Sequence, residues 1–358
     1  MGKLRSPNEI EIETPDRLER ARAEKILLAP GSIPRIPPIP IGDNRKILNS
    51  DDALQLAALP GSLLIIGGGV VGVEFATIFA GLGVKVTLVE KEPYLIPGED
   101  IDISVALKDL MENSGVTVYT DSQVTGINGN DDRPGTVTLQ TKKEERQLSA
   151  ELVLGTAGRR PNLDNLGLNE VGIATRKDGI IVNEMMETSV PGVFAAGDAI
   201  GGKMLAHVAS REGIVAVENA MGGYAFMDYR AVPRCIHSST EIAAVGMSEN
   251  EARAQGYELN IGKFPLTANG MGFILKEGGF IKIIADARQG KVLGVHILAP
   301  HATDLIGEAT LAIKLGAGIK DIADTIHAHP TLAEGIMEAA LDATGEAIHL
   351  SPRGRITV

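Results

Sequence analysis

The residues able to do chemistry fall into four groups. The chain holds one cysteine, Cys235, so its own residues can form neither an intramolecular disulfide nor a Cys-rich metal site, and no metal is expected. Arg234 and His237 flank that sulfur, and nearby cations lower a thiol pKa, which makes a reactive thiol conceivable. A small residue in or beside a strand is the plainer reading. The second group is His327-Ala328-His329-Pro330-Thr331-Leu332-Ala333-Glu334. Pro330 should break the preceding helix, with Thr331 as N-cap of the next and Glu334 completing a capping box. His329 is then either a polar turn residue or a working imidazole, and the residues alone leave both open. The third group, Gly67-Gly68-Gly69-Val70-Val71-Gly72, matches G-x-G-x-x-G, with Glu90 following 23 residues after Gly67. The fourth is Asp198, after Val193-Phe194-Ala195-Ala196-Gly197, either a turn or capping residue or a holder of sugar-like hydroxyls.

Only the glycine string has its required context on both sides. Leu63–Ile66 reads as a short buried parallel strand, Val73–Ala80 as a helix, and Lys85–Val89 as a second strand ending at Glu90. Together they make one βαβ unit. Gly67 permits the tight turn, Gly69 lets backbone approach a pyrophosphate, and Gly72 lets helix pack on strand. The helix N-terminus offers N–H groups and a positive dipole end. Glu90 can accept from a ribose 2′-hydroxyl and would repel a 2′-phosphate, so the unit is expected to bind NAD rather than NADP.

Around this unit, strands are predicted at Asn8–Glu13 and Lys25–Ala29, joined by a polar charged turn. A proline-rich extended linker follows at Ile36–Ile41, and a short helix starts at Ser50. A helical pattern covers Ile101–Ser114, strands follow at Val116–Tyr119, Gly135–Thr141 and Leu152–Leu154, and Leu205–Met221 is again helical. From about Tyr229 the pattern becomes four strands (Glu241–Val245, Glu258–Pro265, Gly279–Ala285, Val292–Leu298) and then the helices Asp304–Leu315 and Ile319–Ile326. Strands before helices indicate an α+β domain. The expected organisation is a remnant of an FAD-binding domain (1–50), an NAD-binding domain (51–160), a second FAD-binding segment (161–228) and a dimerisation domain (229–358). The class is α/β: a Rossmann-like NAD domain, a partial FAD domain and a C-terminal α+β domain.

Composition excludes other classes. A balance of 46 acidic against 34 basic residues leaves a formal charge of −12, with no basic patch to meet nucleic-acid phosphates. The apolar run Ser62–Ile66 is too short to span a membrane. No charged-then-apolar leader is seen at Met1-Gly2-Lys3-Leu4-Arg5, so a cytoplasmic protein is expected.

Taken in order, these motifs resemble the pyridine nucleotide–disulfide oxidoreductases, most closely their dihydrolipoamide dehydrogenase branch. The matching strings are Gly31-Ser32-Ile33-Pro34, Gly67–Gly72 with Glu74 and Glu90, and Gly158–Asn162. They continue with Thr188 through Gly197-Asp198, Met204-Leu205-Ala206-His207, and His329-Pro330-Thr331 with Glu334. The resemblance implies that Gly67, Gly69, Gly72 and Glu90 bind NAD, with Glu74 at the nicotinamide end and Gly158 in the cofactor-binding set. It implies that Asp198 holds the ribityl chain of FAD and that Ala206 and His207 meet the isoalloxazine edge. It makes His329 the acid–base histidine that takes a proton from a dithiol, oriented by Glu334 and serving the partner subunit of a homodimer built on the C-terminal domain. The implied reaction passes electrons from dihydrolipoamide through a disulfide and FAD to NAD, on the lipoyl domain of a 2-oxoacid dehydrogenase or glycine cleavage complex.

There are departures. Such enzymes begin with another G-x-G-x-x-G unit and a C-x-x-x-x-C pair, neither of which is present here. Ala29-Pro30 stands where Ala-Thr is usual, and His237-Ser238-Ser239-Thr240 where an aromatic residue and a proline are. Without that first unit, the apolar faces and edges of Lys25–Ala29 and Val193–Ala196 should be exposed. A split or cleaved enzyme with a separate chain supplying the missing segment, a truncated gene product, and a catalytically silent NAD-binding dimer are the readings this leaves. A hydrolase built on Cys235 has no supporting motif.

Overall fold

The computed structural model describes residues 2–42, 47–128, 135–276 and 278–350; Met1, named in the leader expectation, and residues 351–358 of the expected dimerisation domain lie outside them. Two compact units emerge, one from residues 1–35 and 158–229 and the other from 36–157 and 230–358.

In the first unit, Gly2–Ser6, Glu9–Glu13 and Leu18–Arg22 form an antiparallel meander. The stretch expected to be a polar turn thus contains a third strand, whose residues are mostly exposed and whose Glu19, Arg20 and Arg22 hide a β pattern. Ile26–Leu28 pairs in parallel with Val193–Ala195, and Ser32–Pro34 pairs antiparallel with Arg159–Pro161. Val193, Phe194 and Ala195 are all buried, against Leu4, Ile180, Met186 and Val215. The expected exposure holds in part: Val193–Ala195 is covered by the unit's own core, whereas on the other stretch Lys25, Leu27 and Ala29 are exposed, and the two strands form a sheet with no further strand among the described residues.

In the second unit, four parallel strands run in the order Leu152–Gly155, Ser62–Ile66, Lys85–Val89, Thr117–Tyr119. Helices Val70–Gly81 and Ile101–Asn113 cover them, contributing Val73, Phe79, Ile103 and Leu107 to a shared core. The strand–turn–helix–strand order predicted around the glycines is what forms. An antiparallel trio, Gln123–Asn128, Gly135–Gln140 and Glu145–Ala150, adjoins it in sequence; two of its strands escaped prediction because their alternation is broken by glycine and charge.

The C-terminal part is a five-stranded antiparallel sheet, ordered Arg234–Ile236, Ile242–Gly246, Val292–Leu298, Phe280–Asp286, Leu259–Pro265. Helices Ala302–Leu315, Ile319–Ala323 and Glu334–Thr344 accompany it, sharing a core of Ile281, Ile283, Val295, Ile306, Ile322 and Ile336. The last helix lies against the strand Leu259–Pro265 because Gly262 has no side chain: a Cβ there would come within 1.8 Å of the Ala339 carbonyl oxygen.

Candidate active site

The glycine turn shows which positions tolerate no side chain. Gly67 has φ +113°, and a Cβ on it would lie 2.7 Å from the Thr156 carbonyl oxygen. Gly72 is tighter, since a Cβ would meet the Gly67 carbonyl oxygen at 1.9 Å. Gly69 is the opposite case: it is the N-cap of helix Val70–Gly81, and a Cβ there would meet nothing within 4 Å. Space beside it is open, and a bare helix N-terminus is an arrangement that suits an anion. No side chain caps that terminus. Gly68, left unspecified by the fingerprint, is also confined: a Cβ on it would meet Leu95 Cδ2 at 2.6 Å and Glu90 Cβ at 2.9 Å. Thr156, which sequence reasoning missed, donates its hydroxyl to the Gly67 carbonyl at 2.8 Å and pins the turn.

Glu90 directly follows the strand Lys85–Val89 and is 5% exposed. One carboxylate oxygen accepts the Gly68 N–H at 2.6 Å and the other the Glu92 N–H at 2.8 Å. The carboxylate therefore builds the turn, and each oxygen keeps a lone pair for a further donor. Glu74, in the helix that follows, accepts the His237 backbone N–H at 2.9 Å.

In the same unit His329 Nδ1 lies 2.8 Å from Glu334 Oε1, and Glu334 Oε2 accepts the Thr331 N–H at 2.8 Å. The His329 side chain is 75% exposed, so Nε2 faces outward. Partial burial pushes the Glu334 carboxyl up, but the Thr331 N–H and the hydrogen bond and charge of His329 outweigh it and hold it below the usual carboxylate range. Of the expected capping box only the Glu334 half forms, on the Thr331 N–H, because the Thr331 hydroxyl donates to the Ala328 carbonyl at 2.7 Å instead. The helix is Glu334–Thr344 with Ala333 as N-cap and no side-chain cap, so Glu334 is its first residue and reaches back to the turn. The preceding helix ends at Ala323, well before Pro330. Asn269 supports the turn by donating its side-chain amide to the Thr331 carbonyl at 3.0 Å. His327 in the same string is tied to Glu308 at 3.0 Å with its side chain buried.

Cys235 lies in the strand Arg234–Ile236, as the plainer reading held. Burial, followed by the charges of Glu241, Asp304 and Glu99, pushes its thiol up. Arg234 does not activate it, because its guanidinium is engaged by Glu99 at 2.7 and 2.9 Å.

In the first unit Asp198 is the second residue of the 3₁₀ turn Gly197–Ile200 and accepts the Ser32 hydroxyl at 2.5 Å. Arg159 donates to Ser32 Oγ at 2.7 Å and to its carbonyl at 2.8 Å, joining the Gly31-Ser32 and Gly158-Arg159 strings around one acid. Gly158 has φ +92° with open space beside it. Ala206 and His207 begin helix Ala206–Ala220. From that helix Glu212 accepts the Gly197 N–H and the Tyr229 hydroxyl, both at 2.7 Å. Burial raises the Glu212 carboxyl and, more strongly, the Tyr229 hydroxyl. No group of residues able to hold a metal ion occurs among the described residues.

A dinucleotide turn, a histidine–carboxylate pair and a companion unit assembled from two chain segments define a nucleotide-dependent oxidoreductase fold. The comparisons agree: residues 3–213 match the Pyridine nucleotide-disulphide oxidoreductase family and residues 232–340 its dimerisation domain, so the chain belongs to that family. Among curated relatives, two dihydrolipoyl dehydrogenases of Bacillus subtilis are 43% identical over 91% of this chain and 41% over 96%, covering 69% and 75% of their own lengths. Among solved structures, LpdA from Mycobacterium tuberculosis has a TM-score of 0.84 at 30% identity, over 95% of this chain and 75% of its own. A Cu(II) complex of the HOCl-induced flavoprotein disulfide reductase RclA from Escherichia coli has a TM-score of 0.86 at 25% identity, over 95% and 77%. The chain is thus a dihydrolipoyl dehydrogenase-like oxidoreductase chain, of a family that uses FAD and NAD, and it is shorter than these relatives.

Proposed function

We propose that this chain carries the NAD site and the acid–base pair of a reaction of the dihydrolipoamide-to-NAD type, and acts as a homodimer through its C-terminal sheet. The observation that carries the proposal is the hydrogen bond between His329 Nδ1 and Glu334, with the rest of the imidazole exposed. With Nδ1–H donated to the carboxylate, Nε2 keeps its lone pair outward and can take a proton from a thiol, leaving the thiolate that is the nucleophile. Glu334 then stabilises the imidazolium.

The residues present fit NAD. Gly67, Gly69 and Gly72 with the N-terminus of helix Val70–Gly81 would hold its pyrophosphate, and Glu90 its ribose; Glu74 belongs toward the nicotinamide end. NAD supplies the hydride acceptor. Toward FAD the fit is incomplete: Asp198, Ala206 and His207 supply one side of a site, but these 358 residues contain a single G-x-G-x-x-G, already assigned. They also contain one cysteine, so a dithiol must come from residues outside them. A separate chain supplying the flavin turn and redox pair, a lipoyl domain as the substrate carrier, and a cytoplasmic location complete the proposal; no helix among the described residues is long and apolar enough to cross a membrane.

The single cysteine favours a second reading, in which the chain by itself is an NAD-binding dimer with a regulatory or assembly role. The two separate by experiment. Co-expression with a segment bearing G-x-G-x-x-G and C-x-x-x-x-C should yield a flavin absorbance band and lipoamide-dependent NADH turnover, lost on His329→Gln. NADH binding with no turnover in the assembled pair would favour the second reading. Turnover by the chain alone would refute the need for a supplied dithiol.

A further inference from the structure

Arg234, Ala244, His296, Lys282 and Lys263 stand directly opposite one another across the C-terminal sheet, one from each strand and so on one face. Like charges placed directly opposite destabilise a sheet, so such a row needs acids to answer it. Most of them come from residues 99–102, which lead into helix Ile101–Asn113. Glu99 takes the Arg234 guanidinium at 2.7 and 2.9 Å, Asp100 the Lys282 ammonium at 2.8 Å, and Asp102 the Lys263 ammonium at 3.1 Å. Glu249, the first residue of helix Glu249–Ala254, gives Lys282 another carboxylate at 2.9 Å. Asp100 is 2% exposed, and it also accepts the Asp102 and Glu249 N–H groups, each at 3.1 Å.

The same stretch of chain reaches the glycine turn. The Ile96 N–H donates to the Gly68 carbonyl at 2.7 Å, and the Glu99 N–H to the Ile96 carbonyl at 3.1 Å. Gly68 is thus held through both its backbone groups, since its own N–H goes to Glu90. Ile96 is buried with φ +45°, a left-handed conformation that a β-branched residue keeps only where its surroundings impose it. Only Pro97 and Gly98 stand between Ile96 and Glu99.

We propose that Glu99 and Asp100, anchored on the basic row of the sheet, are positioning residues for the dinucleotide turn. They hold segment 96–100 in place, which keeps Ile96 in its left-handed conformation and its N–H on Gly68. This rests on the NAD reading of Gly67–Gly72. The sheet matched to the family's dimerisation domain and the nucleotide turn then share one strap, and the strap sets how well the turn is preformed.

The test is NADH calorimetry on the full chain, with hydrogen exchange followed at the Ile96 amide. Glu99→Gln and Asp100→Asn keep side-chain size, and Lys282 retains Glu249 and Asp102, so both variants should fold. Each should weaken NADH binding about two- to thirtyfold, the range for residues that couple to a site without touching its ligand, and speed exchange at Ile96. Ile306→Val is the control. It loosens the core on the other face of the sheet, with Ile281 and Ile283, and should leave both readouts at wild-type values. Wild-type NADH affinity in either acid variant, or an equal loss in Ile306→Val, would overturn the proposal. No NADH binding by the wild type would instead sink the NAD reading, and the Ile96 amide would still decide whether the row holds the turn.

Discussion

Substituting Gly69 by alanine separates ligand binding from folding. At this position a Cβ meets no protein atom within 4 Å, and the backbone has φ −73°, which alanine adopts freely. The folded state should therefore change little, by no more than about 1 kcal/mol for replacing one N-cap residue with another. The added methyl stands where the glycine turn leaves the helix N-terminus bare. A pyrophosphate pushed off that terminus loses one or two hydrogen bonds to charged oxygens, each worth about 1.5–3 kcal/mol, and NADH affinity should fall on the order of ten- to several hundredfold. Gly72→Ala is the contrast. Its Cβ would meet the Gly67 carbonyl oxygen at 1.9 Å, and backbone cannot yield as a side-chain tip does. That variant should lose about 1–3 kcal/mol of stability or more along with binding. The assays are NADH calorimetry and urea unfolding on both variants. Wild-type NADH affinity in a folded Gly69→Ala protein would refute the reasoning, because the bare glycine would then serve no ligand.

Glu90→Ala should weaken NADH binding by about 1–3 kcal/mol and also destabilise the protein by a similar amount, since the Gly68 and Glu92 N–H groups lose their acceptors; calorimetry and thermal unfolding measure the two effects. Lys282, buried between Asp100 at 2.8 Å and Glu249 at 2.9 Å, should cost about 3–5 kcal/mol in urea unfolding when changed to Met, because Asp100 stays buried without its cation. Burial holds the His296 imidazole below its ordinary value, with Nε2 on the Met247 carbonyl at 2.9 Å and Nδ1 without a hydrogen-bond partner among the described residues. The unfolded chain thus binds the proton more readily, and stability should fall as the pH drops below the usual imidazole range near about 6.5. His296→Leu should flatten that part of the stability–pH curve. Cys235, its thiol pushed up by burial, should react with iodoacetamide at neutral pH more slowly than free cysteine does.

Where one residue's role is dictated by local backbone geometry, the sequence displayed it. The βαβ unit around Gly67–Gly72 was legible because a short apolar strand, a glycine turn and a second strand ending in an acid permit few other arrangements. Four of the five C-terminal strands were legible because their apolar residues recur between clear turn residues; Arg234–Ile236, only three residues long, was not among them. Leu18–Arg22, Gln123–Asn128 and Glu145–Ala150 were not, since edge-rich antiparallel strands are stabilised by pairing partners rather than by their own pattern. Part of the candidate site was hidden for a related reason. Glu334 fits a capping box by spacing, yet it reaches back five residues to His329 because the helix starts at Glu334 itself. Thr156 on Gly67, Arg159 and Ser32 beside Asp198, and Ile96 on Gly68 depend on contacts across the fold, which no spacing rule encodes. The sequence neighbours of Cys235 made an activated thiol conceivable beside the plainer strand reading, and the structure supports the plainer one, since Arg234 is spent on Glu99.

The most direct test of the account is a paired calorimetric titration of the purified chain with NADH and NADPH. Binding of NADH at one site per chain, with NADPH at least about tenfold weaker because Glu90 repels the 2′-phosphate, is the predicted result. Equal affinities would remove Glu90 from the ribose site, and no heat with either nucleotide would contradict the claim that the Gly67–Gly72 turn is an NAD site.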